Sequence, residues 1–142
     1  MDERELLALA IKAREHSYVP YSHWAVGAAL LASSGRVYTG CNIENAAYTP
    51  TNCAERTAFF KALSEGERKF DAIAVAGGPE HEEPEEICAP CGVCRQVMME
   101  FCDPGQFRVI LGARDGVQTV MTLGELLPVG FGPQTLGIED EG

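Results

Sequence analysis

The chain has 142 residues, a length that fits one domain with its own core, and 46% hydrophobic against 23% charged residues is the balance of a folded globular protein rather than a disordered one. A formal net charge of -10, with no Lys/Arg-rich run, argues against a protein that tracks a phosphate backbone and favours a small, uncharged partner. Residues 1–15 mix acids and bases among leucines and alanines, unlike a signal peptide, and no apolar run approaches the roughly 20 residues that span a bilayer. A cytoplasmic protein with no membrane partner is expected.

Leu6, Leu7, Leu9, Ala10 and Ala13 recur at spacings of three and four, which predicts an amphipathic helix over residues 2–16. Tyr18-Val-Pro-Tyr-Ser22 breaks it. Residues 25–31 and 37–40 read as strands joined by the turn Ser33-Ser34-Gly35-Arg36, a hairpin. A second helix is predicted over 52–63, then an apolar strand at 71–76 closed by Gly77-Gly78-Pro79, then an acidic, proline-containing loop at 80–86. Pro90 suits the first turn of a third helix continued by Val93, Val97, Met98 and Phe101. Strands at 107–112 and 117–122, and a short helix near 123–127, follow. Glycines and acids after Phe131 predict a single domain over 1–131 and a flexible acidic tail over 132–142. Helices interleaved with five strands predict an α/β fold, a three-layer α/β/α sandwich on a five-stranded mixed sheet. Most of its pairs are expected to be parallel, with the hairpin adding an antiparallel one.

Six cysteines could form a disulfide framework in a secreted mini-protein, but an adequate core and a tight Cys88-x-x-Cys91-x-x-Cys94 run favour thiolate metal ligation. Cys53-Ala-Glu55 and Pro90-Cys91-Gly-Val-Cys94 each put a cysteine at the start of a predicted helix, where the helix dipole stabilises thiolate. Cys91 and Cys94 share a helical face, Cys53 supplies a third ligand, and a tetrahedral ion would keep one position open for water. Three soft ligands favour zinc, one ion per subunit. Glu55 is placed to take a proton from that water and return it, and Arg56 to offset thiolate charge. Competing readings stand beside these. Asn52-Cys-Ala-Glu55 also fits a capping box, which would make Glu55 structural. A lone Cys-x-x-Cys is often redox-active. Cys88 as a fourth thiolate would close the sphere and make the zinc purely structural. Cys41 and Cys102 read as buried small hydrophobes, and His16, His23 and His81 as surface or packing residues.

With Cys53-Ala-Glu-Arg-Thr-Ala58 and Pro90-Cys-Gly-Val-Cys-Arg-Gln-Val97, the chain resembles the small, homotetrameric, zinc-dependent cytidine deaminases of pyrimidine salvage. Pro20-Tyr-Ser22, Val26-Gly-Ala-Ala-Leu30, Thr39-Gly-Cys-Asn-Ile-Glu-Asn45, Leu126-Leu-Pro128 and Phe131 extend the resemblance over residues 20–131. It implies hydrolytic deamination of cytidine and 2′-deoxycytidine by zinc-activated water with Glu55 as acid and base, the class of chemistry of the zinc deaminases. It further implies that Asn42 and Glu44 bind ribose hydroxyls, that the Ala54 backbone contacts the base, and that Tyr48 and Phe131 serve a pocket shared between subunits of a homotetramer. Trp24 stands where family members usually carry phenylalanine, beside the base, so a modified cytosine nucleoside is an alternative substrate. Blasticidin-S deaminases, which share the zinc motifs, are the nearest enzymatic alternative. A polynucleotide editor fits the charge least well.

Overall fold

The computed structural model describes residues 1–138; the last part of the expected acidic tail, 139–142, lies outside the described residues. Helix α1 spans Glu3–Ala13 and runs on into a 3-10 turn at Arg14–His16. Asp2 caps it by accepting the Glu5 amide at 2.8 Å, acids occupy its first turn, and Leu6, Leu7 and Ala10 bury its apolar stripe. The hairpin strands are β1 (Trp24–Ala32) and β2 (Val37–Cys41). Helix α2 (Ala54–Ser64), strand β3 (Phe70–Pro79), helix α3 (Gly92–Phe101), strands β4 (Arg108–Ala113) and β5 (Gly116–Thr122), and the one-turn helix α4 (Leu123–Leu126) complete the order. A short 3-10 turn, Pro133–Leu136, begins the expected tail.

The sheet order is β2-β1-β3-β4-β5, a five-stranded mixed sheet as expected. Its directions correct the expectation of mostly parallel pairing. Only β3 and β4 pair in parallel; β1 pairs antiparallel with both β2 and β3, and β4 with β5. The reason is an insertion: the α2 crossover joins β2 to β3, two strands pointing the same way, but β1 lies between them. Alternating helices and strands set the crossovers, not which strands become neighbours.

One face of the sheet buries α1, with Leu6, Leu7 and Ala10 against Ala29, Ala72, Ala74, Ala76 and Ile110. The opposite face buries α2 and α3, where Phe59 stands at the centre of the core with Phe70, Phe101 and Phe107 around it. Small residues set how closely the layers approach. A Cβ at Gly40 of β2 would collide with the Ala54 carbonyl oxygen and lie 2.6 Å from the Ala58 amide nitrogen, so glycine lets the start of α2 rest directly on the strand. Gly40→Ala is expected to push α2 outward at a cost of about 1–3 kcal/mol, a Tm drop of about 3–10 °C. An unchanged thermal transition would show that α2 does not depend on that contact.

Candidate active site

The two crossovers bring the starts of α2 and α3 together. Cys53 and Cys91 are the N-cap residues, both with extended backbone, and neither side chain caps its own helix, which leaves both sulfurs free. Pro90 therefore precedes the N-cap rather than opening the helix, and Cys94 sits in the first turn of α3. Cys53 also displaces Asn52 from the cap. The Asn52 amide instead donates to the Thr57 hydroxyl at 3.1 Å, and that hydroxyl lies 3.1 Å from the Cys41 and Cys53 carbonyls. No capping box forms here, and Glu55 points inward, only 4% exposed.

The three sulfurs of Cys53, Cys91 and Cys94 lie within 4.8 Å of one another. Cys91 Sγ is 3.7 Å from Cys53 Sγ and 3.5 Å from Cys94 Sγ, too far for disulfides. Zinc–thiolate bonds of about 2.3 Å in a tetrahedron set sulfurs about 3.8 Å apart, so the donor set fits zinc in both chemistry and spacing. Among the described residues this is the one group of metal-ligating side chains so arranged, and Cys88 is outside it. Cys88 Sγ packs instead against Gly77.

Charge in the cluster is strongly coupled. A hydrogen bond from Cys94, seconded by the Arg56 guanidinium, holds Cys53 down to about 5, and donating that proton pushes Cys94 up. Arg56 Nη2 donates to Cys53 Sγ at 3.2 Å. Burial, with the negative Cys53 beside it, pushes Glu55 up to about 7. A cation among the thiols acts in the opposite sense, drawing protons off all of them. Burial alone pushes Cys102 up; it is buried, as expected of a small hydrophobe, whereas Cys41 is partly exposed.

Asn42, Glu44 and Trp24 lie at the ends of β1 and β2. Asn42 follows β2 and clamps β1, accepting from the Val26 amide at 2.9 Å and donating to the Trp24 carbonyl at 2.8 Å. Glu44 accepts from the Tyr21 and Ser22 amides at 3.0 and 3.1 Å and from the Ser22 hydroxyl, contacts that hold its carboxyl below the usual range. With Tyr21, Ser22, Asn45, Tyr48 and Thr51 it lines an open cavity of about 410 Å³. Tyr48 meets Tyr21 edge-on, ring centres 6.3 Å apart, and has positive φ. Ala54 is fully buried in the first turn of α2, whereas Trp24, Tyr48 and Phe131 are 45%, 74% and 56% exposed. Phe131 lies on the α3 side, where its carbonyl accepts from Gln96 at 2.8 Å.

Two arginines escaped the sequence reading. Arg95 donates to the Pro90 and Leu126 carbonyls, both at 2.8 Å, tying the start of α3 to α4. Arg14 donates to three carbonyls around the loop before Cys91. Arg95 lies inside the Pro90–Val97 motif but with no role that spacing assigns, and Arg14, an isolated arginine, carries no spacing signal at all. The Tyr21-Ser22 grip on Glu44 was equally hidden, since main-chain donors leave no mark on residue type.

Residues 1–111 match the family model described as the cytidine and deoxycytidylate deaminase zinc-binding region. A cytidine deaminase of Sporosarcina psychrophila is 50% identical over 99% of both chains, and one of Halalkalibacterium halodurans 53% identical over 92% of this chain and 95% of its own. The crystal structure of a cytidine deaminase from Burkholderia pseudomallei superposes with a TM-score of 0.83 at 47% identity, covering 92% of this chain and all of that one. One from Mycobacterium tuberculosis gives 0.78 at 38% identity, covering 93% and 98%. With its thiol triad, five-stranded sheet and near full-length match to these enzymes, the chain belongs to the zinc-dependent cytidine deaminase family.

Proposed function

We propose that this chain hydrolyses cytidine and 2′-deoxycytidine to uridine and deoxyuridine with release of ammonia, in pyrimidine salvage. The observation that carries the reading is a buried carboxyl, Glu55, two residues from Cys53, one of three thiols spaced for a metal. Cys53, Cys91 and Cys94 hold the ion, and Arg56 offsets their charge. Zinc so bound supplies the Lewis acidity that makes a water nucleophilic near neutral pH. Glu55 accepts the proton that water gives up as its oxygen attacks C4 of cytosine. The same carboxyl passes that proton to N3, then takes the proton left on the new C4 hydroxyl and delivers it to the departing amine, so that one water enters and one ammonia leaves. Its burial suits both roles, because desolvation raises the pKa of the carboxyl and favours the protonated form through which it must pass.

Asn42 and Glu44 bind the ribose hydroxyls, and the Ala54 backbone and Trp24 flank the base. Glu44 is set in place by Tyr21 and Ser22 beside an open cavity, which supports a sugar site there. The exposed rings of Tyr48 and Phe131 support pockets completed between subunits of a homotetramer. Unpaired cysteines suit the cytoplasm, and the net charge of -10 suits a free nucleoside rather than a polynucleotide. Among the described residues, no helix is long and apolar enough to cross a membrane.

The test is direct. Zinc-replete protein is mixed with cytidine, deoxycytidine and CMP while ultraviolet loss of the cytosine chromophore and ammonia release are followed together. Turnover of both nucleosides and not of CMP is expected. No turnover of either nucleoside by protein that holds zinc would overturn the reading.

A further inference from the structure

Arg14 is a charged side chain that the proposed chemistry does not use, yet it is only 9% exposed. Its guanidinium is spent entirely on main-chain carbonyls. Nε donates to Ala25 at 2.8 Å, Nη1 to Glu82 at 2.9 Å and Nη2 to Pro79 at 3.0 Å. Those oxygens belong to three different pieces of chain: the start of β1, the end of β3 and the acidic loop. Trp24 pairs with Pro79 and Ala25 with Gly78, so Arg14 reaches the point where β3 leaves the sheet beside the tryptophan. From there the chain runs through the loop to Cys88, whose sulfur packs back on Gly77, and on to Cys91. A second anchor fixes the loop further along: the Arg114 amide donates to the Pro84 carbonyl at 2.9 Å, and its side chain pairs with Glu85 at 3.2 Å. Burial lowers the pKa of Arg14, and Cys88 and Glu83 are the ionisable groups that face it.

We propose that Arg14 is a positioning residue for the deamination, its forked guanidinium fixing where the loop delivers Cys91 relative to Glu55. The inference rests on the functional reading above. Only a planar fork holds three carbonyls at set angles; an ammonium reaches fewer of them and an apolar chain none. A misplacement of the order of 1 Å in a catalytic constellation costs about 100-fold. The loop itself carries Glu80, Glu82, Glu83, Glu85 and Glu86 and no lysine or arginine.

The experiment compares wild type, Arg14→Lys and Arg14→Met by kcat and KM for cytidine, with kcat expressed per bound zinc. The visible spectrum of the cobalt(II)-substituted proteins is recorded in parallel, since its ligand-field bands report thiolate geometry without turnover. Arg14→Met is expected to keep one metal per chain, shift the cobalt bands and lose about 10- to 100-fold in kcat, with KM within about threefold. Arg14→Lys is expected to fall between Met and wild type. A merely structural arginine would lower Tm or metal content while leaving kcat per bound zinc and the cobalt bands unchanged, and that result overturns the proposal. Should Arg14→Met fail to fold, Arg14→Lys decides by the same two readouts. If wild type itself does not deaminate cytidine, the functional reading fails, while the cobalt comparison still decides whether Arg14 sets the thiolate geometry.

Discussion

Glu55→Gln is expected to lower kcat on cytidine by about 10²–10⁴-fold while zinc content stays at one per chain, because the amide keeps the shape of the carboxyl but cannot carry a proton. Glu55 is not among the three thiols, so its loss leaves the donor set intact. Metal analysis on the same sample as the kinetics separates a lost proton carrier from a lost metal; near wild-type turnover would remove Glu55 from the mechanism. A second consequence concerns stability. In metal-free protein the folded-state pKa of Glu55 is raised from the usual 4.5 to about 7, so over that interval the folded chain holds a proton the unfolded chain has released. The contribution of Glu55 to stability should therefore fall as pH rises from about 4.5 to about 7, and the Gln variant should lack that contribution. Chelator-treated wild type and variant unfolded in denaturant at pH 5 and at pH 8 would show it, as a change in the difference between them that favours the variant at the higher pH. Such a carboxyl costs the fold something, as catalytic groups commonly do.

How far the sequence discloses this site depends on which physics marks it. The thiols were legible because a cysteine at a helix start, repeated at Cys53 and Cys91, is a local pattern with a chemical reason. Glu55 was legible only in company. By itself it also fits a capping box, and that box does not form, because the Asn52 amide turns to Thr57 and leaves Cys53 as the cap. Strand order was not legible. Hairpins and crossovers could be read along the chain, but the placement of β1 between β2 and β3 is a tertiary event that no window of residues reports. Arg14 lay at the end of a predicted helix, where a basic residue reads as a partner for the helix dipole. Its three carbonyls come from positions 25, 79 and 82, contacts that exist only once the sheet is assembled.

Cys94→Ser and Cys88→Ser should part company, and the contrast tests whether the metal is catalytic. Cys94 is buried in the triad, so its replacement removes one of three thiolates and leaves a shorter, harder oxygen in its place. After dialysis zinc is expected to fall from one to about 0.1 or fewer per chain, with activity falling in proportion and Tm falling too, because binding energy from the ion is folding energy. Cys88 stands outside the cluster with its sulfur against Gly77, so Cys88→Ser should keep a full complement of zinc. Both variants are read by metal analysis and by the rate per bound ion. Loss of zinc from Cys88→Ser would mean that four thiolates close the coordination sphere. A closed sphere leaves no place for water at the metal, and Glu55 would then have no proton to carry.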